Sequence, residues 1–329
     1  MEQFTDNFIF NNFIFNITFI TLPNYFFKIL FNYMIQNSHH FSSGSSREFL
    51  NMGSHDQKKN TPSMGGIAFL LIGISLPFIF KFYSQEAFIN SIFLSIASVG
   101  SGLVGWLDDY NKIKYKKGIS AKLKFSLQAL VALIASVFLY YNSNFHYLNL
   151  GLIKIDLNIF YILWIMLIII STSHAVNIVD GIDGLAASSF IISLLGFLII
   201  SWNSTQFMLS LSIMATVSKF LSFNKHPAKI IMGDVGALFL GGFLSSLFIL
   251  QKIEILLIFG GLIFVLDTLS VILQIISIKY FKKRLFSFSP IHHAFEKNGY
   301  SEKKIVLLFV SVNIIGQLLM FLFYYLFFK

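Results

Sequence analysis

The sequence has no cysteine, only five prolines and only 15 acidic residues among 329. Without cysteine there is no disulfide framework, no thiolate metal site and no cysteine nucleophile. Charged residues make up 12% of the chain, about half the share usual in a soluble domain, which excludes a water-soluble globule. A disordered chain would be poor in aromatics, whereas this one carries 40 Phe. The dyadic alternation of a membrane β-barrel is also missing, because the apolar runs are continuous. What is present is apolar: 56% hydrophobic residues and a mean hydropathy of +0.74. The chain reads as an all-α integral membrane protein, one polytopic domain over residues 1–329.

Apolar stretches of about 20 residues, enough to cross roughly 30 Å of hydrocarbon, recur ten times. They lie near 8–34, 65–83, 88–107, 123–141, 159–173, 185–202, 206–223, 236–250, 255–278 and 305–328. The first is too long, and lacks the basic start, for a cleavable signal peptide, so it reads as a span. Ten spans place both termini on one side and the odd-numbered loops on the other. Of the 24 Lys and Arg, 19 fall in or beside the odd loops and four on the opposite side, with Lys28 inside the first span. This asymmetry assigns the odd loops to the cytoplasm and both termini to the extracytoplasmic side. It also accounts for the net charge of +9 without a nucleic-acid partner.

The polar and glycine-rich clusters all fall on the cytoplasmic side. Loop one ends in a run from Lys58 to Gly66, and the third span ends in Asp108-Asp109. Loop five reads Asn177-Ile178-Val179-Asp180-Gly181-Ile182-Asp183-Gly184, loop seven runs from Asn224 to Asp234, and loop nine carries His292-His293. Each has a plain reading: a solvated helix end for Asp108-Asp109, a turn for Asp180 and Asp183, a helix cap for Asp234, ordinary loop residues for the histidines. Together they place five aspartates from three loops on one face. Adjacent carboxylates at a membrane surface repel and ask for a cation. A cysteine-free, oxygen-rich set suits a hard ion such as Mg2+, which binds carboxylates together with substrate phosphates. The lysine run between Lys112 and Lys124 attracts an anionic substrate or anionic headgroups. Phosphoryl transfer at the cytoplasmic membrane surface is the expected chemistry.

TPSMGG, GWLDDY, NIVDGIDGLA, MGDVGALFLGG and SPIHHAFEKNGY follow one another between about Gly53 and Glu302. In this order they resemble the phospho-N-acetylmuramoyl-pentapeptide-transferase family, within the polyprenyl-phosphate N-acetylhexosamine-1-phosphate transferases. The resemblance implies a Mg2+-dependent transfer of phospho-MurNAc-pentapeptide from UDP-MurNAc-pentapeptide to undecaprenyl phosphate, giving lipid I and UMP. It implies a multi-pass protein of the bacterial inner membrane, in contact with membrane lipid, from a family in which homodimers are common. Asp234 resembles the principal metal ligand. Asp108 and Asp109 match the aspartate pair, Asp108 deprotonating or orienting the lipid phosphate and Asp109 assisting near the metal. Asn177, Asp180, Asp183 and Lys58 match the nucleoside pocket, Asn224 and Lys124 line the same cleft, and His292 and His293 match histidines that engage phosphate or sugar-peptide. Direct attack by the lipid phosphate is favoured over a covalent phosphoryl-enzyme, since an anionic nucleophile needs mainly positioning and charge screening.

Four positions depart from the family pattern. Ala294 stands where a third histidine is usual, Asn60 where Gly commonly precedes Thr-Pro, and Ile231 where an aromatic is frequent, which weakens any expectation of uracil stacking there. Asp267 stands in place of Glu in the ninth span, and an acid at that depth should face the bundle interior. The alternative enzyme is a sibling transferring GlcNAc-1-phosphate from UDP-GlcNAc to the same lipid, disfavoured by TPSMGG and PIHHAFE. A cation-coupled transporter would need acids deep in both halves of the chain, and only Asp267 lies that deep.

Overall fold

The protein is described by a computed structural model over residues 25–42, 61–143, 146–202 and 204–329. Lys58, Asn60 and most of the first expected span lie outside the described residues. Residues 25–36 form α1, and the short α2 is Ser38–Phe41. Then come α3 (Ile67–Phe80), α4 (Gln85–Tyr115), α5 (Ala121–Asn142), the strands β1 (Tyr147–Asn149) and β2 (Lys154–Asp156), α6 (Phe160–Val179), α7 (Leu185–Ile200), α8 (Thr205–Asn224) and α9 (Gly233–Leu250). The chain ends in α10 (Leu257–Gly260), α11 (Leu262–Ile276), α12 (Ile291–Lys297) and α13 (Glu302–Phe327).

Seven helices of the described residues are long and apolar enough to cross a membrane: α4, α5, α6, α8, α9, α11 with the wide turn that follows it, and α13. The expected spans at 65–83 and 185–202 appear as α3 and α7, of 14 and 16 residues. Three boundaries differ from the expectation. Apolar character stops at Leu107, but no Gly or Pro follows before Gly118, so α4 runs on through Asp108, Asp109 and Lys112 to Tyr115. At 31 residues it is about 46 Å long, more than the hydrocarbon thickness requires. Likewise α6 continues past residue 173, so Asn177 is helical rather than in a loop. The ninth span is broken at Gly260-Gly261 into α10 and α11. The antiparallel β1–β2 hairpin, with Leu148 opposite Ile155, was not expected.

α9 is the centre of the bundle, with every residue from Val235 to Leu250 buried. It lies against α4 and α6 along much of their length, and its small residues let backbones approach. A Cβ on Gly241 would lie 2.4 Å from Ser173 Cα of α6, and one on Gly242 2.7 Å from the Ala97 carbonyl of α4. The helices run alternately, so the C-terminal ends of α4, α6, α8 and α11 share one end of the bundle with the N-terminal ends of α5, α7, α9 and α13. The hairpin marks the opposite end, where Gly151 packs against Phe327 near the C-terminus.

Candidate active site

Three aspartates converge where α4 meets the start of α9. One oxygen from each of Asp108, Asp109 and Asp234 lies within 4.8 Å of the others. Adjacent Asp108 and Asp109 are both buried, and each is held by a backbone donor. Ile119 N–H donates to Asp108 Oδ1 at 2.8 Å, and Val235 N–H donates to Asp109 Oδ2 at 3.0 Å. Asp234 sits in the first turn of α9 and remains partly accessible.

Two lysines enter the same space. Lys112, one turn beyond the aspartate pair on α4, places Nζ 2.7 Å from Asp108, 3.5 Å from Asp109 and 2.9 Å from Asp234. Lys124, in the first turns of α5, contacts Asp234 and lies 3.4 Å from Asp108. An ammonium nitrogen within reach of all three carboxylates shows that they converge on one point suited to positive charge. Three carboxylates against two ammonium groups leave a net negative charge, and the donors are all oxygens, so the set fits a hard divalent cation.

The geometry depends on backbone placement. Gly233 has φ +77°, where side chains are strained, and a Cβ there would lie 2.5 Å from Asp109 Oδ2. The TPSMGG segment is zipped to the loop entering α9. Ile231 N–H donates to the Pro62 carbonyl, and the amides of Gly65 and Gly66 donate to the carbonyls of Ile231 and Met232, all at 2.8–3.0 Å. Gly66 lies so close to Gly236 that a Cβ would fall 2.1 Å from its Cα. This segment therefore aims the Met232-Gly233-Asp234 turn at the aspartate pair.

The other expected residues do not join the aspartates. Asp183 accepts from Ala228 N–H at 3.0 Å and lies 3.2 Å from His226 Nδ1, while its own amide donates to Glu302 at 3.1 Å. Asn224 is a buried brace: its Oδ1 accepts from Gly184 N–H at 3.0 Å and its Nδ2 donates to the Ile230 carbonyl at 2.9 Å. Asn177 and Asp180 are half-buried at the end of α6. His292 pairs with Asp267 at 2.5 Å and His293 with Glu296 at 2.9 Å. These groups form a belt around the site end, because His292 meets Gly181 of loop five and loop five is tied through Asn224 to the loop leading to Asp234. Asp267 is fully buried in the bundle, as expected of an acid at that depth.

Sequence reasoning missed His226, Glu302 and His174 as members of this region, and placed Lys112 in a basic run rather than among the aspartates. His174 on α6 stacks on Phe125, next to Lys124, with ring centroids 6.5 Å apart. For Lys112 the signal was present: the Asp-Asp-x-x-Lys spacing brings it under both aspartates once the helix continues.

Two family models match the sequence: glycosyl transferase family 4 over residues 91–252, and phospho-N-acetylmuramoyl-pentapeptide-transferase signature 1 over residues 58–70. The chain is similar to the phospho-N-acetylmuramoyl-pentapeptide-transferase of Anoxybacillus flavithermus, 38% identical over 273 residues that cover 81% of this chain and 84% of the relative. The protein of that name from Bacillus subtilis is 38% identical over 269 residues, covering 80% and 83%. The one from Dictyoglomus turgidum is 39% identical over 265 residues, with the same coverage.

Proposed function

The chain belongs to the phospho-N-acetylmuramoyl-pentapeptide-transferase family, and on that premise we propose that it transfers phospho-MurNAc-pentapeptide from UDP-MurNAc-pentapeptide to undecaprenyl phosphate. The products are lipid I and UMP. The observation that carries the reading is the meeting of Asp108, Asp109 and Asp234 around Lys112 and Lys124. Both substrates are phosphates, one soluble and one on a lipid tail, so their encounter needs a site at the membrane surface that screens anionic charge.

In this reading an oxygen of the lipid phosphate attacks the sugar-linked phosphorus of the UDP-sugar. The new P–O bond forms as the bond to the UMP oxygen breaks, and UMP leaves with the electron pair. Asp108, anchored by Ile119 N–H, orients the incoming lipid phosphate, and Lys112 and Lys124 draw the two anions together. Asp109 and Asp234 would hold Mg2+, which when bound neutralises charge developing on the diphosphate. Lys58, Asn177, Asp180 and Asp183 surround the nucleoside, Asn224 keeps that loop in place, and His292 and His293 meet phosphate or sugar-peptide. We place the site at the cytoplasmic face of the bacterial inner membrane, with ten spans and both termini outside. The cation excess of the odd loops supports this arrangement.

UMP release by the purified full-length protein with undecaprenyl phosphate tests the assignment. Turnover of UDP-MurNAc-pentapeptide and not UDP-GlcNAc is expected; consumption of UDP-GlcNAc alone would overturn the substrate assignment.

A further inference from the structure

Where α11 meets α12, a carboxylate–imidazole pair lies outside the aspartate cluster. Asp267 of α11 and His292 of α12 are both fully buried. Asp267 Oδ2 lies 2.5 Å from His292 Nδ1, and Oδ1 of the same carboxylate accepts from the His292 backbone N–H at 3.3 Å. One side chain thus holds both the ring and the main chain of the histidine. Ser270 reinforces the joint, donating to the Asp267 carbonyl at 2.6 Å and accepting from Ile291 N–H at 3.1 Å.

The other ring nitrogen is presented elsewhere. His292 Nε2 is buried and hydrogen-bonds to nothing among the described residues. It faces loop five so closely that a Cβ on Gly181 would lie 2.1 Å from it. A carboxylate can only accept, so it commits Nδ1 as the donor and leaves Nε2 as a lone pair in the neutral ring. We propose that Asp267 is a positioning residue: it fixes the His292 tautomer and keeps Nε2 bare where it packs against Gly181, so that the ring sets the place of the Asn177-to-Gly184 segment beside which the UDP-sugar substrate is held. The substrate half of this inference rests on the function proposed above; the tautomer does not.

Asp267→Asn separates positioning from bulk. The substituted amide keeps the volume, but its single carbonyl must stay on the His292 backbone N–H, which can only donate. Its NH2 then faces Nδ1, which becomes an acceptor, and the proton moves to Nε2. A buried Asp→Asn change in a Ser-His-Asp triad acts in this way, leaving geometry intact with the wrong tautomer. The experiment is 15N NMR of the full-length protein labelled at histidine, with the His292 signals assigned by their loss in His292→Gln, alongside UMP-release kinetics. Wild type should show Nδ1 protonated and Nε2 bare. Asp267→Asn should invert this and lower kcat/KM about 10²-fold, and Asp267→Glu should restore the carboxylate, the tautomer and most of the rate. If Asp267→Asn does not fold, the wild-type spectrum and the Asp267→Glu rate still decide. An Nε2-protonated or doubly protonated His292 in wild type, an Asp267→Asn enzyme that loses rate with its tautomer unchanged, or an Asp267→Glu enzyme below a tenth of wild-type rate would overturn the proposal. Wild-type protein inert toward UDP-MurNAc-pentapeptide but with the expected tautomer would instead refute the substrate assignment.

Discussion

Replacing Gly233 by Ala perturbs the aspartate site without touching a charged residue. The φ of +77° at Gly233 costs a side-chain-bearing residue about 1–2 kcal/mol. The added methyl would also lie 2.5 Å from Asp109 Oδ2 and 3.0 Å from the Met64 amide nitrogen. The Met64 backbone is held in its zipped segment, so the carboxylate is the part that yields. Its movement breaks the bond from Val235 N–H, a charge-assisted contact worth about 1.5–3 kcal/mol. The sum, roughly 2.5–5 kcal/mol, comes with an aspartate displaced from its place between Lys112 and Asp234. A misplacement of about 1 Å can cost 10²-fold in rate, so UMP release should fall by about two orders of magnitude. Gly299→Ala is the matched control: its φ is +84°, but nothing lies within 4 Å of the added methyl. That variant should lose about 1–2 kcal/mol of stability and keep its turnover. Rates and melting temperatures measured side by side decide the matter. A Gly233→Ala enzyme as active as Gly299→Ala would refute the claim that this glycine makes room for Asp109.

Asp234→Asn should abolish UMP release, and a chelator should silence the wild-type enzyme until Mg2+ is restored; near-normal activity in either case contradicts a metal held by Asp109 and Asp234. Asn224→Ala leaves Gly184 N–H and the Ile230 carbonyl without their buried partner, each costing about 1–3 kcal/mol. Its melting temperature should fall and its KM for the UDP-sugar rise, and unchanged values would rule out the brace. Glu254 at the hairpin end accepts from the Tyr161 hydroxyl, and burial pushes its carboxyl up to about 7 from 4.5. The folded protein then keeps this proton over a range where the unfolded chain has released it. Stability should therefore drop between about pH 4.5 and 7, by about 3 kcal/mol, and level off above. Glu254→Gln should flatten that dependence and raise the melting temperature at pH 7.5; a persistent slope would assign it to another group.

What was legible in the sequence was where the polar residues of the site end lie, because Asp, Lys and His stand out against so apolar a chain. The convergence of Asp108, Asp109 and Asp234 followed from motif order, and the burial of Asp267 from its depth. Side-chain roles were less readable. Asn224 had the look of a cleft-lining polar group, yet both ends of its amide are spent on Gly184 and Ile230. Asp183 closes on His226 and Glu302 rather than on the other aspartates. Such pairings depend on loops distant in sequence meeting in space, which hydropathy does not encode. Lys112 was lost for a different reason: apolarity ends at Leu107 while helical propensity does not, so a boundary drawn on hydropathy cut α4 two turns early.

The joints at Gly66–Gly236 and at Gly105, whose Cβ would lie 2.2 Å from the Asp234 carbonyl, are contacts of main chain on main chain. No rotamer there can adjust to absorb a change. Inhibitors that mimic the substrate's charge at these aspartates therefore meet a wall that point mutation cannot gradually reshape.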